Sequence, residues 1–290
     1  MIDLHLHTTA SDGRCSAETL VERAWNVGIR TLAVTDHDTM AAVPRAAALA
    51  AERGMTFVPG IEITAVADGR DVHVLGYFVR PDSTELRALI ANQRHERVVR
   101  AREIVHRLAK VGAPLDYDLL FGAASEFAGA TIARPQIAQA LIRAGHVSSI
   151  AEAFDRFLDV GRPGYLPHQG PRPEIVVGSI VRAGGLASLA HPGPLGRDDL
   201  MPALIDAGLA AIEAYHSDHD TLTQRRYVQM ARDFDLAVTG GSDYHGNGRA
   251  RDAFFGVIGL PQEEFSRLTS RTPIPDYDLP IAATSNPMSD

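Results

Sequence analysis

Short apolar runs alternate with helical patterns along most of this chain of 290 residues. In the first third, segments 2–6, 31–35, 56–64 and 71–78 are predicted to be extended, and 16–27 and 41–53 are predicted to be helical. After Pro171 the alternation returns, with apolar runs at 186–190, 211–214, 237–240 and 254–258. This β/α rhythm favours an α/β fold with a parallel sheet or a barrel.

The middle of the chain has a different pattern. From 84 to about 166 no strand pattern occurs, and the segment predicts several helices, the first over 85–110. We therefore expect a barrel formed by 1–83 and 166–268, with a small helical insertion at 84–165 that contributes to the substrate pocket. The proline-containing stretch 269–290 lacks periodicity and is expected to form a tail.

Composition and charge exclude several classes of function. No apolar run approaches the roughly 20 residues needed to cross a bilayer, so we expect no membrane association and a cytoplasmic protein that starts at Met1. The net charge of −8 argues against stable binding of duplex nucleic acid, but short anionic substrates remain compatible with it. Cys15 is the only cysteine, so any metal must be held by histidine and carboxylate.

Histidine and carboxylate residues recur where the predicted strands end. In His5-Leu6-His7 the alternation places both imidazoles on one side of the strand, which alone would suit an ordinary solvated face. The strand ends of a β/α barrel, however, converge at one mouth. At least five strands would bring such residues to that mouth, and the full candidate set is His5, His7, Asp12, His37, Glu62, His73, His191, Asp243 and His245.

This mixture of side chains predicts bound cations. Beside six imidazoles, the three carboxylates crowded in one barrel mouth would repel one another, and burial would raise the cost of each charge unless cations offset it. Nine ligands exceed the roughly four that one zinc ion takes, so two or three ions with a bridging carboxylate such as Glu62 are expected. The donors suit Mn²⁺, our first expectation, and also Zn²⁺ or Fe²⁺.

The ordered series His-x-His, Asp12, Asp-His-Asp, Gly-x-Glu, His73, Ala-His-Pro and Ser-Asp-x-His resembles the motif set of the PHP (polymerase and histidinol phosphatase) family. The resemblance covers nearly the whole chain outside the insertion. It implies a distorted (β/α)7 TIM-like barrel with three divalent metal ions. By the same resemblance, one ion would be held by His5, His7, Glu62 and Asp243, a second by Glu62, His73 and His191, and a third by Asp12, His37 and His245.

Such a centre would perform phosphoester hydrolysis. Three divalent ions bring a charge of about +6, of which the three carboxylates offset half, so the pocket would attract an anion. A bridging water with its pKa lowered toward about 7 would attack phosphorus in line, with His191 and Asp243 among the catalytic residues. We expect Asp36 and Asp38 to orient imidazoles by hydrogen bonds.

Candidate substrate residues rest on weaker patterns. Arg134 precedes Pro135 at the first turn of a predicted helix, where a cation is unfavourable unless an anion is bound nearby. A solvated arginine explains the sequence equally well, and the resemblance of Ala-Arg-Pro to PHP phosphatases of nucleotides favours phosphate binding. Further candidates are His216, which is also a potential proton donor to the leaving group, together with Asp12, Arg94 and His168.

The barrel with one insertion most resembles the subgroup of 3',5'-nucleoside bisphosphate phosphatases and RNase AM-type 5'→3' exoribonucleases. The implied reaction is hydrolysis of the 3'-phosphoester of a 5'-phosphorylated nucleotide to a nucleoside 5'-monophosphate, and short RNA 5' ends could be trimmed at the same site. Two alternatives stay open at this point, a histidinol-phosphate phosphatase and a metal-stabilised binding module without activity.

Overall fold

The computed structural model describes residues 1–80, 82–116, 120, 134–246, 248 and 250–272. Seven strands form one sheet in chain order: β1 (Ile2–Asp3), β2 (Thr31–Val34), β3 (Thr56–Ala67), β4 (Arg70–Tyr77), β5 (Leu186–Leu189), β6 (Ala211–His216) and β7 (Ala237–Gly241). The α-helices are α1 (Ala17–Asn26), α2 (Val43–Glu52), α3 (Thr84–Lys110), α4 (Arg134–Arg143), α5 (Ile150–Ala153), α6 (Pro173–Arg182), α7 (Pro192–Leu195), α8 (Met201–Asp206), α9 (Thr221–Asp233) and α10 (Gln262–Thr269).

The sheet curls into a nearly closed barrel. Beyond β1 the chain runs beside β7, where the Leu4 amide donates to the Gly240 carbonyl at 3.1 Å and Leu6 bridges to Tyr244 in parallel. Helices surround the sheet, and α1, α2 and α6 bury their apolar faces against it. Local sequence fixes these helices; the Ser16 side chain, for example, caps α1 by accepting from the Thr19 amide. The predicted α/β barrel is confirmed.

The fourth strand departs from a parallel barrel. β4 pairs antiparallel with both β3 and β5, whereas the other neighbouring pairs are parallel. The reason is the two-residue connection Asp68-Gly69, whose φ angles of 50° and 74° are those of a tight hairpin turn. A parallel partner would have required a long crossover. The sequence predicted two successive extended segments at this place, as observed, but the expected parallel pairing of the sheet does not hold for β4.

The helices between β4 and β5 have an apolar cluster of their own. Ile104 and Leu108 of α3 pack with Ile137 and Leu141 of α4 and with Leu158. The long helix α3 therefore has two partners, because its earlier turns contact the barrel and its later turns contact the other helices of the insertion.

Two predictions from the sequence concern the C-terminal part of the chain. The apolar run 254–258 was expected to continue the β/α alternation, and it instead forms the end of a 3-10 helix and a turn. Gly256, with φ of 75°, interrupts any extended path there. The proposed tail is described only to 272, so the prediction for 273–290 lies outside the described residues. Among the described helices, none is long and apolar enough to cross a membrane.

Candidate metal centre

The nine predicted ligands lie together at one mouth of the barrel. Seven of them line a cavity of about 430 Å³, with Asp218, Arg251 and Asp252 beside them. The other two, His5 and His7, are fully buried beneath it. Most of the set follows strand ends, whereas Glu62 lies within β3 and His73 within β4. An isolated parallel bridge joins His37 to Glu62.

Two glycines allow the backbone to approach closely under the site. A Cβ atom on Gly241 would lie 2.4 Å from the His5 nitrogen and 2.6 Å from Asp3 Oδ1. A Cβ on Gly13 would lie 2.6 Å from the His7 carbonyl oxygen. Real side chains do not tolerate these distances, so both positions require glycine for steric reasons.

Glu62 and Asp243 face both histidines of the first strand. His5 Nε2 lies 3.3 Å from Glu62 Oε2 and 3.5 Å from Asp243 Oδ1. His7 Nε2 lies 3.3 Å and 3.1 Å from the same two oxygens. These are the four side chains that the resemblance assigns to one ion, and that assignment stays a prediction.

The other oxygen of Glu62 faces two further imidazoles. Glu62 Oε1 lies 2.8 Å from His73 Nδ1 and 3.2 Å from His191 Nε2. Glu62 Oε2 also lies 3.2 Å from His37 Nδ1. Each oxygen of Glu62 therefore faces its own group of imidazoles, which is the geometry of a bridging carboxylate.

A third set lies around Asp12. Its Oδ1 is 3.2 Å from His245 Nε2, 3.8 Å from His7 Nδ1 and 4.0 Å from His37 Nε2. Ligand atoms of these four residues lie within 4.8 Å of one another. His7 thus faces two sets with its two nitrogens, a sharing that the sequence did not indicate.

Several imidazole nitrogens in this centre have no hydrogen-bond partner. Both nitrogens of His7, Nδ1 of His37 and Nδ1 of His73 are buried and unsatisfied among the described residues. His73 Nδ1 is close to Glu62 Oε1, yet the angles are not those of a hydrogen bond. Buried polar atoms are rarely left without partners, and lone pairs that converge on a common point fit metal ions. The donor set therefore fits divalent cations.

The electrostatics keep the carboxylates ionised. Burial alone would raise the pKa of Glu62, but the surrounding imidazoles, led by His37, hold it well below its usual range. Asp243 behaves in the same way, with His5 as its strongest partner, and its pKa is also well lowered. Burial lowers the pKa of His37 to about 4, which leaves its ring neutral and able to coordinate at neutral pH.

Two buried acids that were not predicted from the sequence support the histidines. Glu213 Oε1 lies 2.9 Å from His5 Nδ1, and its Oε2 accepts from the His191 amide at 2.8 Å. Asp3 accepts from the His5 amide at 3.2 Å and from the Ser242 hydroxyl at 2.7 Å. An acidic residue inside each of the otherwise apolar strands β1 and β6 was the sequence signal that could have identified them. Such partners fix the orientation of metal-binding imidazoles.

The role expected for Asp36 and Asp38 was wrong. Asp36 accepts from the Thr8 amide at 2.7 Å and from the Ser11 hydroxyl at 2.7 Å, so it holds the loop that carries Asp12. Asp38 accepts from Arg97 Nε at 2.7 Å and from the Thr64 amide. Both carboxylates hold backbone and α3 in place, and their hydrogen bonds among the described residues do not go to imidazoles.

His216 lies below the cavity. Its Nδ1 accepts from the Asp218 amide at 3.1 Å, so the neutral ring carries its proton at Nε2, 3.4 Å from Asp243 Oδ2. A shift of register between Glu213 and Tyr215 brings both Glu213 and His216 to the site, which strict alternation would have put on opposite faces. Contact of His216 with substrate stays a prediction.

The other predicted substrate residues lie on the insertion side. His168 is buried and its Nδ1 is 2.9 Å from Asp71 Oδ1, two residues from His73. Burial would raise the pKa of Asp71, but His168 holds it low and Arg134 adds a weaker electrostatic contribution. A role of Arg134 in substrate binding stays a prediction. Arg94 has a buried Nε without a described partner and does not line the metal cavity.

Arg251 is a further site residue that sequence reasoning missed. It lines the metal cavity, its Nη1 contacts Asp243 Oδ2, and its Nη2 contacts Asp218 Oδ2. It lies on a short 3-10 helix, Ala250–Phe254, and nothing periodic in the sequence marks it.

Comparisons with known proteins agree with this geometry. The chain is 34% identical over 253 residues to the 5'-3' exoribonuclease Rnm of Salmonella typhimurium, covering 84% of each protein. It is 34% identical to the 3',5'-nucleoside bisphosphate phosphatase of Chromobacterium violaceum, covering 85% of this chain and 88% of that one. It is also 34% identical to the phosphoribosyl 1,2-cyclic phosphate 1,2-diphosphodiesterase of Eggerthella lenta, covering 84% and 94%.

A solved structure gives the same fold. The crystal structure of a Bifidobacterium adolescentis protein, described as a metal-dependent phosphoesterase, superimposes with a TM-score of 0.84 at 32% identity, covering 93% of this chain and 95% of that one. The family model for the PHP domain matches residues 3–167. With histidine and carboxylate clusters suited to divalent cations at its barrel mouth, the chain belongs to the PHP family and is a metal-dependent phosphoesterase.

Proposed function

We propose that this protein hydrolyses the 3'-phosphoester of 3',5'-nucleoside bisphosphates and releases nucleoside 5'-monophosphates. The observation that carries the proposal is the set of buried, unsatisfied imidazole nitrogens around Glu62, Asp243 and Asp12 at one cavity. The name of the Chromobacterium violaceum relative supports the choice of substrate.

Three divalent ions, with Mn²⁺ as the first expectation, would be held by the three ligand sets. His5, His7, Glu62 and Asp243 would hold one ion, and Glu62, His73 and His191 a second. Asp12, His37 and His245 would hold the third, with His7 close by. Bound ions of this kind supply a nucleophilic water at neutral pH and neutralise charge on phosphoryl oxygens.

The residues of the chain would position the substrate and the ligands. Glu213 keeps the His5 ring oriented by accepting from Nδ1, which leaves Nε2 for coordination. His191 and Asp243 sit where strands end, with φ of 27° and 54°. Such backbone is strained for non-glycine residues, and strain of this kind is concentrated at functional sites. Arg134, near Asp71 on the insertion side, would bind a substrate phosphate.

A second activity is supported by the Salmonella typhimurium relative, which is named a 5'-3' exoribonuclease. A short 5'-phosphorylated RNA presents the same 5' end as a bisphosphate, with a 3'-phosphodiester in place of the 3'-phosphomonoester. We therefore infer that the site can also trim short RNA from its 5' end.

The test is phosphate or nucleotide release in Mn²⁺ from 3',5'-adenosine bisphosphate, a 5'-phosphorylated trinucleotide and histidinol phosphate. We expect the bisphosphate to have the highest kcat/KM. Preference for histidinol phosphate would replace the proposal with that activity, and turnover of none of them would favour a binding module.

The matched variant is Glu62→Gln, which keeps the shape of the bridging residue and removes its charge. It should lose manganese and lower the rate by roughly a thousandfold or more, because bound ions contribute several kcal/mol to such reactions. Glu18→Gln is the control, since Glu18 is an exposed residue of α1 paired with Arg45. Wild-type activity in Glu62→Gln would contradict the role of the centre.

A further inference from the structure

The predicted metal ligand His191 begins a helix that its own side chain does not cap. It is the residue that precedes α7, with φ of 27° and ψ of 58°, and its side chain makes no capping hydrogen bond with the described residues. The ring instead faces Glu62, with Nε2 3.2 Å from Oε1. The first amides of a helix need acceptors, which the side chain of the residue before the helix often provides. In α7 an acceptor must therefore come from another part of the chain.

His219, in the loop between β6 and α9, provides that acceptor. The amide of Gly193, the second residue of α7, donates to His219 Nε2 at 3.0 Å. Nδ1 of the same ring donates to the Ala214 carbonyl at 2.9 Å. The two bonds are compatible only with a neutral ring that carries its proton at Nδ1. Burial lowers the pKa of His219, which keeps the ring in this neutral form.

The ring of His219 is held in place from behind. The ring of Tyr227 in α9 stacks on it, with centroids 5.4 Å apart and an angle of 27° between the planes. The Tyr227 hydroxyl donates to Asp198 Oδ1 at 3.1 Å. Both rings are buried, so His219 has a fixed orientation toward α7.

Gly193 allows α7 to approach this ring closely. A Cβ atom at Gly193 would lie 2.7 Å from both Cδ2 and Nε2 of His219. The φ angle of Gly193 is not in the left-handed region, so its backbone conformation does not require glycine. The absence of a side chain is instead required by the contact with His219.

We propose that His219 is a positioning residue of the metal centre, which holds the first turn of α7 so that the His191 ring keeps its place beside Glu62. The inference rests on the metal-binding role proposed for His191 and does not depend on the identity of the substrate. His219 does not line the metal cavity, so its effect passes through the backbone of Gly193. Residues that orient metal ligands typically contribute about 10–100-fold to metal affinity.

The test compares two substitutions that each keep one of the two hydrogen bonds. The amide of asparagine extends about as far as Nδ1, so His219→Asn can keep the bond to Ala214 but does not reach Gly193. The amide of glutamine extends about as far as Nε2, so His219→Gln can accept from Gly193. Calorimetry should show that His219→Asn raises the Kd for Mn²⁺ by about tenfold or more, while His219→Gln stays within about threefold of the wild type. His106→Asn, at an exposed position of α3, is the control and should not change the Kd.

An equal loss of Mn²⁺ affinity in the two variants would assign the effect to packing and overturn the proposal, and so would unchanged affinity in His219→Asn. The free energies of unfolding of the metal-free variants, measured in urea with chelator, should be similar, because each variant loses one hydrogen bond. A difference in metal affinity that only follows a difference in these energies would mean a role in folding and not in positioning.

A second pair of variants tests the same contact from the side of α7. Gly193→Ala keeps His219 but forces the ring and the helix apart, so it should weaken Mn²⁺ binding about as much as His219→Asn. In a His219→Ala background the same change should cost little more, because the ring that it meets is gone. Additive losses, or unchanged binding in Gly193→Ala, would overturn the proposal. This pair decides if His219→Asn does not fold.

Failure of the proposed function gives a different result. If the wild-type protein binds no Mn²⁺, the metal centre fails and the role of His219 fails with it. If the wild-type protein binds Mn²⁺ and His219→Asn binds it equally well, only the role of His219 is overturned. Because binding is measured without substrate, a different substrate preference would leave the result unchanged.

Discussion

Two buried polar clusters lie next to each other on the same strand ends, and they differ in how their polar atoms are satisfied. In the metal centre, His37 and His73 keep nitrogens without partners. In the neighbouring cluster, here called the insertion junction and formed by Asp38, Thr64, Gln93 and Arg97, hydrogen bonds join every member. His37 and Asp38 are adjacent in sequence and belong to different clusters.

The insertion junction connects α3 to the barrel. Arg97 donates from Nε to Asp38 Oδ2 at 2.7 Å and from Nη2 to Thr64 Oγ1 at 2.7 Å. Gln93 donates to the Thr64 carbonyl at 2.5 Å. Asp38 and Thr64 are almost completely buried.

The way in which polar atoms are satisfied distinguishes a cluster that holds the fold together from one that binds a ligand. A buried polar cluster that satisfies itself fixes one arrangement of the chain, whereas one with converging, unsatisfied donors is completed by something it binds. If this distinction is right, substitutions in the insertion junction should lower the free energy of unfolding. Substitutions in the metal centre should instead weaken metal binding.

The largest effect is expected from the junction. Arg97→Met keeps a long side chain but leaves the buried Asp38 carboxylate without its cation. We expect the free energy of unfolding to fall by about 3–5 kcal/mol, measured by urea denaturation. Arg45→Met removes an arginine from an exposed pair with Glu18 and should leave the free energy of unfolding nearly unchanged, because solvent screens exposed ion pairs. Equal losses in the two variants would break the distinction.

Metal binding should stabilise the folded protein by less than the loss expected from Arg97→Met. Because Mn²⁺ would bind the folded state, adding it to metal-free protein at roughly 100 times its Kd should raise the free energy of unfolding by about 2.7 kcal/mol. Thermal denaturation with and without chelator measures the change. Glu62→Gln should respond weakly, whereas Glu18→Gln should respond like the wild type. No response of the wild type would mean that the unsatisfied nitrogens do not bind metal.

The smallest effect is expected from the substrate side of the insertion. Arg134→Ala should raise KM for 3',5'-adenosine bisphosphate by about tenfold, or about 1.4 kcal/mol, with manganese content unchanged. Steady-state kinetics with elemental analysis tests this. Arg143→Ala, at the other end of the same helix, is the control. Unchanged kinetics would refute a role for Arg134 in phosphate binding.

Residues with a local pattern could be predicted, and residues placed by distant contacts could not. Most of the nine predicted ligands follow strand ends, Glu62 and His73 lie within β3 and β4, and the structure brings all nine together. Glu213 was missed because a register shift in β6 changes which side chains face the centre. Arg251 was missed because it lies in a segment without periodicity. Asp38 was assigned to the wrong partner because its cation, Arg97, comes from a helix 59 residues further along the chain.

The sequence by itself determined the β/α alternation, the helical character of the insertion and the donor types at the strand ends, since these depend on periodicity and on the chemistry of single residues. Only the tertiary structure decided which polar groups pair, which stay unsatisfied, and which arginine reaches the site. Burial turns a carboxylate into either an ion-pair partner or a metal ligand according to its neighbours. Those neighbours are close in space and far apart in the chain.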